Sequence, residues 1–315
     1  MSFAPKAQAF NASIRAVTIG TGEKATVLGG IRTMPFYTFD APAANKPKIG
    51  VEIPDAGVEA FGAVPGLREF YADCAAPAEM ARKAAGMEGV SFLALRFESA
   101  DPNGKNTSVE NCVATAKAVS EATDLPLVIM GCKNAEKDAA LFSAVAETLQ
   151  GKNIVVLSAK EENYKTVGAS AALAYGQKVG AESAVDINLA KQLNVLMGQL
   201  GVSDESILMN IGSAAAGYGY EYVVSTLDRV RAAALAQGDG QLQMPIVTPV
   251  SPETWSVKES VVSEAEMPDW GDLEERGIEM EIATASACLT SGSDAVILRH
   301  PASIRAIAAF IDALA

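Results

Sequence analysis

At 315 residues, 49% of them apolar and only 6% aromatic, the chain has material for one large core, and an α/β barrel of this length forms a single domain. Its formal net charge of −13 argues against nucleic acid and anionic membranes as partners. Residues 1–13 carry neither the apolar segment nor the cleavage pattern of a signal peptide, and no stretch is long and apolar enough to span a bilayer. The expectation is a cytoplasmic protein.

The first pattern along the chain is a hairpin. Ile14, Ala16, Val17 and Ile19 alternate loosely, Gly20-Thr21-Gly22 turns the chain, and Ala25, Val27 and Leu28 lead to Gly29-Gly30. Gly-rich turns between β-branched runs predict antiparallel strands. Such a hairpin can plug the bottom of a barrel. A Pro- and Ala-rich link follows at residues 41–47. The expected division is hairpin and linker over 1–46 and barrel over 47–315.

Eight buried-strand patterns then recur, at 49–53, 92–97, 127–130, 154–157, 183–189, 207–211, 245–250 and 295–298. Helical patterns separate them, among them 77–85, 108–123, 135–149 and 169–179. The fifth and sixth strands each run at once into an amphipathic helix, ending near Gly201 and Gln237. Residues 261–289 combine an acidic insertion with a helix, and 301–314 form a closing helix. Eight βα alternations predict an α/β fold of the (β/α)8 TIM-barrel class with an N-terminal β-hairpin. An open doubly wound sheet would carry a Gly-rich phosphate loop after its first strand; here that strand ends Glu52-Ile53-Pro54-Asp55.

In a βα barrel, ligands sit at the C-terminal strand ends. Burying an unpaired polar group costs roughly 2–7 kcal/mol, so polar tips on buried strands mark candidate sites. The fifth strand offers Asp186 and Asn188, and the sixth Asn210, Gly212 and Ser213. The loop after the sixth adds Gly217, Tyr218 and Tyr220: the glycine permits close approach, and the tyrosines can cover a flat apolar ring. Glu98 follows the second strand, and Cys132 and Asn134 follow the third. Glu52, Arg96, Lys133, Ser158, Lys160, Ser251 and His300 occupy equivalent positions. The same residues could instead bridge neighbouring strands.

Several chemistries have no signature. One histidine, His300, cannot make a multi-histidine zinc site. It could act as a general base, or cap and pack the helix that starts at Pro301. Cys74, Cys112, Cys132 and Cys288 are scattered with no Cys-x-x-Cys, which leaves no local signature of a zinc site or an iron–sulfur cluster. There is no Gly-x-Ser-x-Gly elbow and no phosphate loop. Trp255 and Trp270 lie in the acidic insertion, as a partner surface or as packing beneath an exposed loop.

Three runs carry a resemblance: residues 131–138 (GCKNAEKD), residues 186–194 (DINLAKQLN), and residues 210–213 (NIGS) with 217–221 (GYGYE). In order and spacing they resemble the small (delta) subunit of the corrinoid iron–sulfur protein of the reductive acetyl-CoA pathway, over nearly the whole chain. That resemblance implies a TIM barrel related to pterin-dependent methyltransferases. It implies a heterodimer whose large subunit holds cobalamin and an iron–sulfur cluster, while the small subunit's mouth covers the corrin. It implies methyl transfer from a methyltetrahydrofolate methyltransferase to acetyl-CoA synthase, with a reductive activator as a further partner. The chain itself would then be non-catalytic, and it lacks the Asp-x-His-x-x-Gly cobalt-ligand motif. Asp186, Asn188 and Asn210 resemble the Asp/Asn set with which relatives grip a pterin. A free-standing pterin-dependent methyltransferase stays open as the rival reading.

Overall fold

The computed structural model describes residues 6–38 and 44–315. Positions 41–43 of the expected linker lie outside the described residues. Strands β1 (Ala16–Ile19) and β2 (Thr26–Gly29) form the antiparallel hairpin, with Ala16 opposite Gly29. Eight parallel strands follow: β3 (Lys48–Pro54), β4 (Val90–Arg96), β5 (Leu127–Met130), β6 (Val155–Ala159), β7 (Lys178–Glu182), β8 (Ile207–Asn210), β9 (Val247–Pro249) and β10 (Ala295–Leu298). β10 pairs with both β3 and β9. A parallel bridge between Met209 and Ile246 joins β8 to the segment leading into β9 and closes the ring.

The helices α1 (Pro65–Phe70), α2 (Pro77–Ala84), α3 (Val109–Ala122), α4 (Ala135–Thr148), α5 (Tyr164–Val167), α6 (Ile187–Leu200), α7 (Tyr220–Leu235), α8 (Ser251–Thr254), α9 (Lys258–Val261), α10 (Leu273–Ser291) and α11 (Pro301–Leu314) surround it. Among the described residues no helix is long and apolar enough to cross a membrane.

Barrel strands are apolar on both faces because one set of side chains fills the lumen and the alternate set meets the helices. Phe92, Ala94, Val128, Met130, Val155, Leu157 and Leu208 form the luminal cluster, and Val17, Ile19 and Leu28 of the hairpin pack into it. Leu93, Leu95, Ile129, Val156 and Met209 belong to the outer core. Gly50 is required here: a Cβ would meet the Phe92 ring at 2.1 Å. The hairpin is tied down by its backbone. The Asn153 side-chain amide donates to Thr18 O at 2.9 Å and Gly20 O at 3.0 Å, and Arg15 N–H donates to Gln243 O at 2.7 Å.

One strand differs from expectation. The fifth barrel strand is Lys178–Glu182, not 183–189. Residues 183–185 are the loop beyond it, and Asp186 already starts α6. Ala184, Val185 and Ile187 imitate a buried strand, whereas the true strand is short and contains Gly180. A Cβ there would lie 2.3 Å from Leu157. The helical pattern at 169–179 is also shorter than expected, since α5 continues as a π-turn only to Ala174.

Candidate functional site at the barrel mouth

A cavity of about 310 Å³ opens at the C-terminal ends of β4 to β9. Arg96, Lys160, Glu182 and Asn210 reach it from the ends of β4, β6, β7 and β8, with Ser158, Asp138 and Lys133 around them. Gly212, Ser213, Ala184 and Val185 complete the wall toward α6 and α7. Asn210 is 4% exposed. Its Nδ2 donates to Ser158 Oγ at 2.9 Å and reaches Glu182 Oε2 at 3.5 Å, and its Oδ1 accepts the Gly212 N–H at 3.0 Å. Lys160 Nζ lies 3.5 Å from Glu182 Oε1.

The loop after β7 is strained. Ala184 and Val185 both have positive φ, 45° and 66°, a conformation that costs on the order of 1–3 kcal/mol for such residues. The Val185 N–H donates to Ile211 O at 2.6 Å, and Thr226 Oγ1 donates to Val185 O at 3.2 Å. These bonds turn the 184–185 backbone into the cavity wall.

A second polar cluster lies between β3, β10 and the acidic insertion. Glu52, 1% exposed, accepts from Arg299 Nη2 at 2.7 Å and from the Ser251 hydroxyl, with Arg96 Nη1 at 3.5 Å. Burial alone would raise its pKa, but Arg299, Arg96 and Ser251 together hold it below the usual carboxylate value. Glu281 accepts the Arg299 and His300 backbone N–H groups at 2.7 and 3.2 Å, and burial pushes its pKa up. His300 Nδ1 accepts the Ala302 N–H at 3.1 Å, so the proton of the neutral ring sits on Nε2, 2.8 Å from Glu274 Oε1. Trp255 stacks on the ring, with centroids 5.8 Å apart. Burial lowers the His300 pKa, although Glu274 opposes this. The histidine is therefore the capping and packing group of α11.

The residues singled out from the sequence separate into two groups. Asn210, Gly212 and Ser213 line the cavity, as do Arg96, Lys133, Ser158 and Lys160; Ser213 Oγ is buried there without a hydrogen-bond partner among the described residues. The others stand around it. Asp186 Oδ1 accepts the Asn188 and Leu189 N–H groups at 2.7 and 3.2 Å as the cap of α6, and Asn188 is exposed. Asn134 caps α4 by accepting the Lys137 N–H. Cys132 donates from N–H and Sγ to Asp138 Oδ1 at 2.7 and 3.2 Å, and burial raises its thiol to about 11. Glu98 is exposed, 3.4 Å from Arg96 Nη2. Tyr218, 49% exposed, donates to Glu259 Oε2 at 2.7 Å, and Gly217 and Tyr220 flank it at the start of α7.

Glu182 and Asp138 were not among the candidates. The misplaced fifth strand hid Glu182, although Lys178-Val179-Gly180-Ala181-Glu182 is itself an apolar run ending in a carboxylate. Burial raises the Asp138 pKa despite the Cys132 N–H.

Among solved structures, the barrel is similar to a dihydropteroate synthase from Xanthomonas albilineans in complex with 4-aminobenzoic acid. The TM-score is 0.58 at 13% identity, covering 95% of this chain and 98% of that one. It is also similar to a 7,8-dihydropteroate synthase from Vibrio fischeri ES114 (0.57 at 12%, with the same coverage). At that identity the likeness is one of fold. The chain is 32% identical over 290 residues to the acetyl-CoA decarbonylase/synthase complex subunit delta 2 of Methanosarcina acetivorans, covering 90% of this chain and 65% of that protein. It is 30% identical over 306 residues to the corresponding subunit delta of Methanothermobacter thermautotrophicus, covering 96% of this chain and 76% of that protein. The chain thus spans just under two thirds of the length of the first of these relatives. The family of the CO dehydrogenase/acetyl-CoA synthase delta subunit matches residues 16–306, and the chain belongs to that family.

Proposed function

We propose that this chain is the small subunit of a corrinoid methyl carrier, whose barrel mouth covers cobalamin held by a large corrinoid iron–sulfur subunit. Its role is to control access to the cobalt. The observation that carries the reading is the family match, which runs through every barrel strand and through both mouth loops. Cobalamin held there would supply a cobalt able to carry a methyl group between a methyltetrahydrofolate methyltransferase and acetyl-CoA synthase.

The residues at the mouth fit such a group. A corrin is wider than the cavity and would rest on its rim. There Tyr218, positioned by Glu259, and Tyr222, 69% exposed, offer aromatic surface. The two strongest potential cobalt donors are occupied: His300 caps α11, and Cys132 is a neutral thiol hydrogen-bonded to Asp138. Neither would compete with a methyl group for the cobalt. Access for a reductive activator would require the corrinoid domain to swing away as a rigid body.

The test is a pull-down of the full chain from an extract of an organism using this pathway, followed by the absorption spectrum of the eluate. Co-elution of a partner with corrin and iron–sulfur bands supports the reading; a lone colourless chain overturns it. A second reading, a pterin-dependent methyltransferase acting alone, draws on buried Asn210 beside Glu182 in a cavity of about 310 Å³. It predicts that the isolated chain binds methyltetrahydrofolate and that Asn210→Leu abolishes this.

A further inference from the structure

One ion pair at the mouth joins opposite sides of the barrel. The ring of strands runs in order from β3 to β10 and closes through the β10–β3 pairing and the Met209–Ile246 bridge, so β5 and β9 face each other across its diameter. Lys133 follows β5, and Glu253 lies on α8, just after β9. Their side chains meet with Nζ 2.9 Å from Oε1, and both line the cavity. By contrast, Arg96–Glu52, Arg299–Glu52 and Lys160–Glu182 each join neighbouring strands. The crossing pair is also the outermost: the Lys133 side chain is 65% exposed and that of Glu253 34%, while Ser158 and Asn210 behind them are buried.

Both ends stand on fixed supports. In the loop between β5 and α4, Cys132 donates from N–H and Sγ to Asp138, and Asn134 caps α4. Gly131 is packed so closely that a Cβ would fall 2.3 Å from the Asp138 carboxylate. These contacts hold Lys133 in a left-handed conformation, with φ of 70°. Across the mouth, Ser251 at the start of α8 donates to Glu52, and Trp255 at its end stacks on His300. An exposed ion pair adds little to stability, and left-handed backbone at a lysine is a cost. Stability therefore does not account for an arrangement that carries one charge over the cavity to meet the other.

We propose that Lys133 and Glu253 form a strap across the barrel mouth that filters what enters by size. With the pair closed, the mouth is divided, and slender groups pass beside it. A flat ring must part the pair, which takes only side-chain rotation because the backbone at both ends is held. The proposal does not depend on whether a corrin lies on the rim, so either reading can fail without the other.

The test places a thiol inside the cavity of the full chain, by Ser213→Cys, and compares its labelling by two uncharged reagents, N-ethylmaleimide and the bulkier N-phenylmaleimide. Mass spectrometry on the segment carrying residue 213 reads the rates free of the native cysteines, which lie at 74, 112, 132 and 288. Any change in thiol ionisation affects both reagents alike, so the phenyl-to-ethyl ratio reports passage. Adding Glu253→Gln should raise that ratio about two- to fivefold, the shift that an exposed ion pair can impose on an equilibrium. At about 1 M KCl, where screening acts within about 3 Å, the ratio should rise similarly with the pair intact and stay constant in Glu253→Gln. The exchanged pair, Lys133→Glu with Glu253→Lys, should restore the low ratio. A ratio indifferent to Glu253→Gln, or one that the exchanged pair fails to restore, overturns the strap. Ser158→Cys on the facing wall gives an independent reporter with the same expected pattern, should the first fail to fold.

Discussion

Two polar clusters share the mouth of this barrel and are built differently. Around Glu52, between β3 and β10, the charges are buried and closely bonded, and two backbone N–H groups and the α11 cap are drawn into neighbouring carboxylates. Around Glu182, between β6 and β8, Lys160 and Asn210 each stand 3.5 Å from the carboxylate and line open space. Breaking a buried pair leaves an uncompensated charge, so the first cluster is architecture that locks the acidic insertion to the barrel. The second is only partly bonded and borders the cavity.

The sharpest way to break the comparison is Glu52→Ala. It strands Arg299 and Arg96 and should cost about 3–5 kcal/mol, read as the loss of unfolding free energy in urea. The matching change Glu182→Leu should cost far less; equal losses would erase the distinction between the clusters. Next in size is a pH effect at His300. Its pKa is lowered on folding, so the unfolded chain binds the extra proton. Its contribution to stability is complete above the unfolded value of about 6.5 and is lost as the pH falls below it. In His300→Asn, which can still accept the Ala302 N–H, that slope should vanish from the stability–pH curve. Asp186→Ala removes the α6 cap and should cost about 1 kcal/mol, while leaving recovery of a partner in the pull-down unchanged. The smallest expected change is Tyr222→Ala, within about 0.5 kcal/mol in stability. It should nevertheless reduce recovery of the corrinoid partner in the pull-down, and unchanged recovery would take Tyr222 out of the capping surface.

The barrel is legible in the sequence because parallel strands are buried on both faces and stand out as unbroken apolar runs, as Leu127–Met130 does. β7 is not, because Lys178–Glu182 carries a glycine and two charged ends, while the loop after it holds Ala184, Val185 and Ile187. That single displacement explains the site assignments too. It moves Asp186 from a strand tip to a helix cap and conceals Glu182, whose position depends on register. Asn210, Gly212 and Ser213 follow a correctly placed strand, and they line the cavity. Arg299–Glu52 at 2.7 Å and Lys160–Glu182 at 3.5 Å differ by less than an ångström, which no pattern of residue types encodes.

The hairpin stopper has a further consequence. With Val17, Ile19 and Leu28 wedged among the luminal side chains, the barrel is a cul-de-sac rather than a tunnel. Solvent, protons and small oxidants reach the mouth groups from one direction only. A surface laid over the mouth would therefore meet no second route through the lumen.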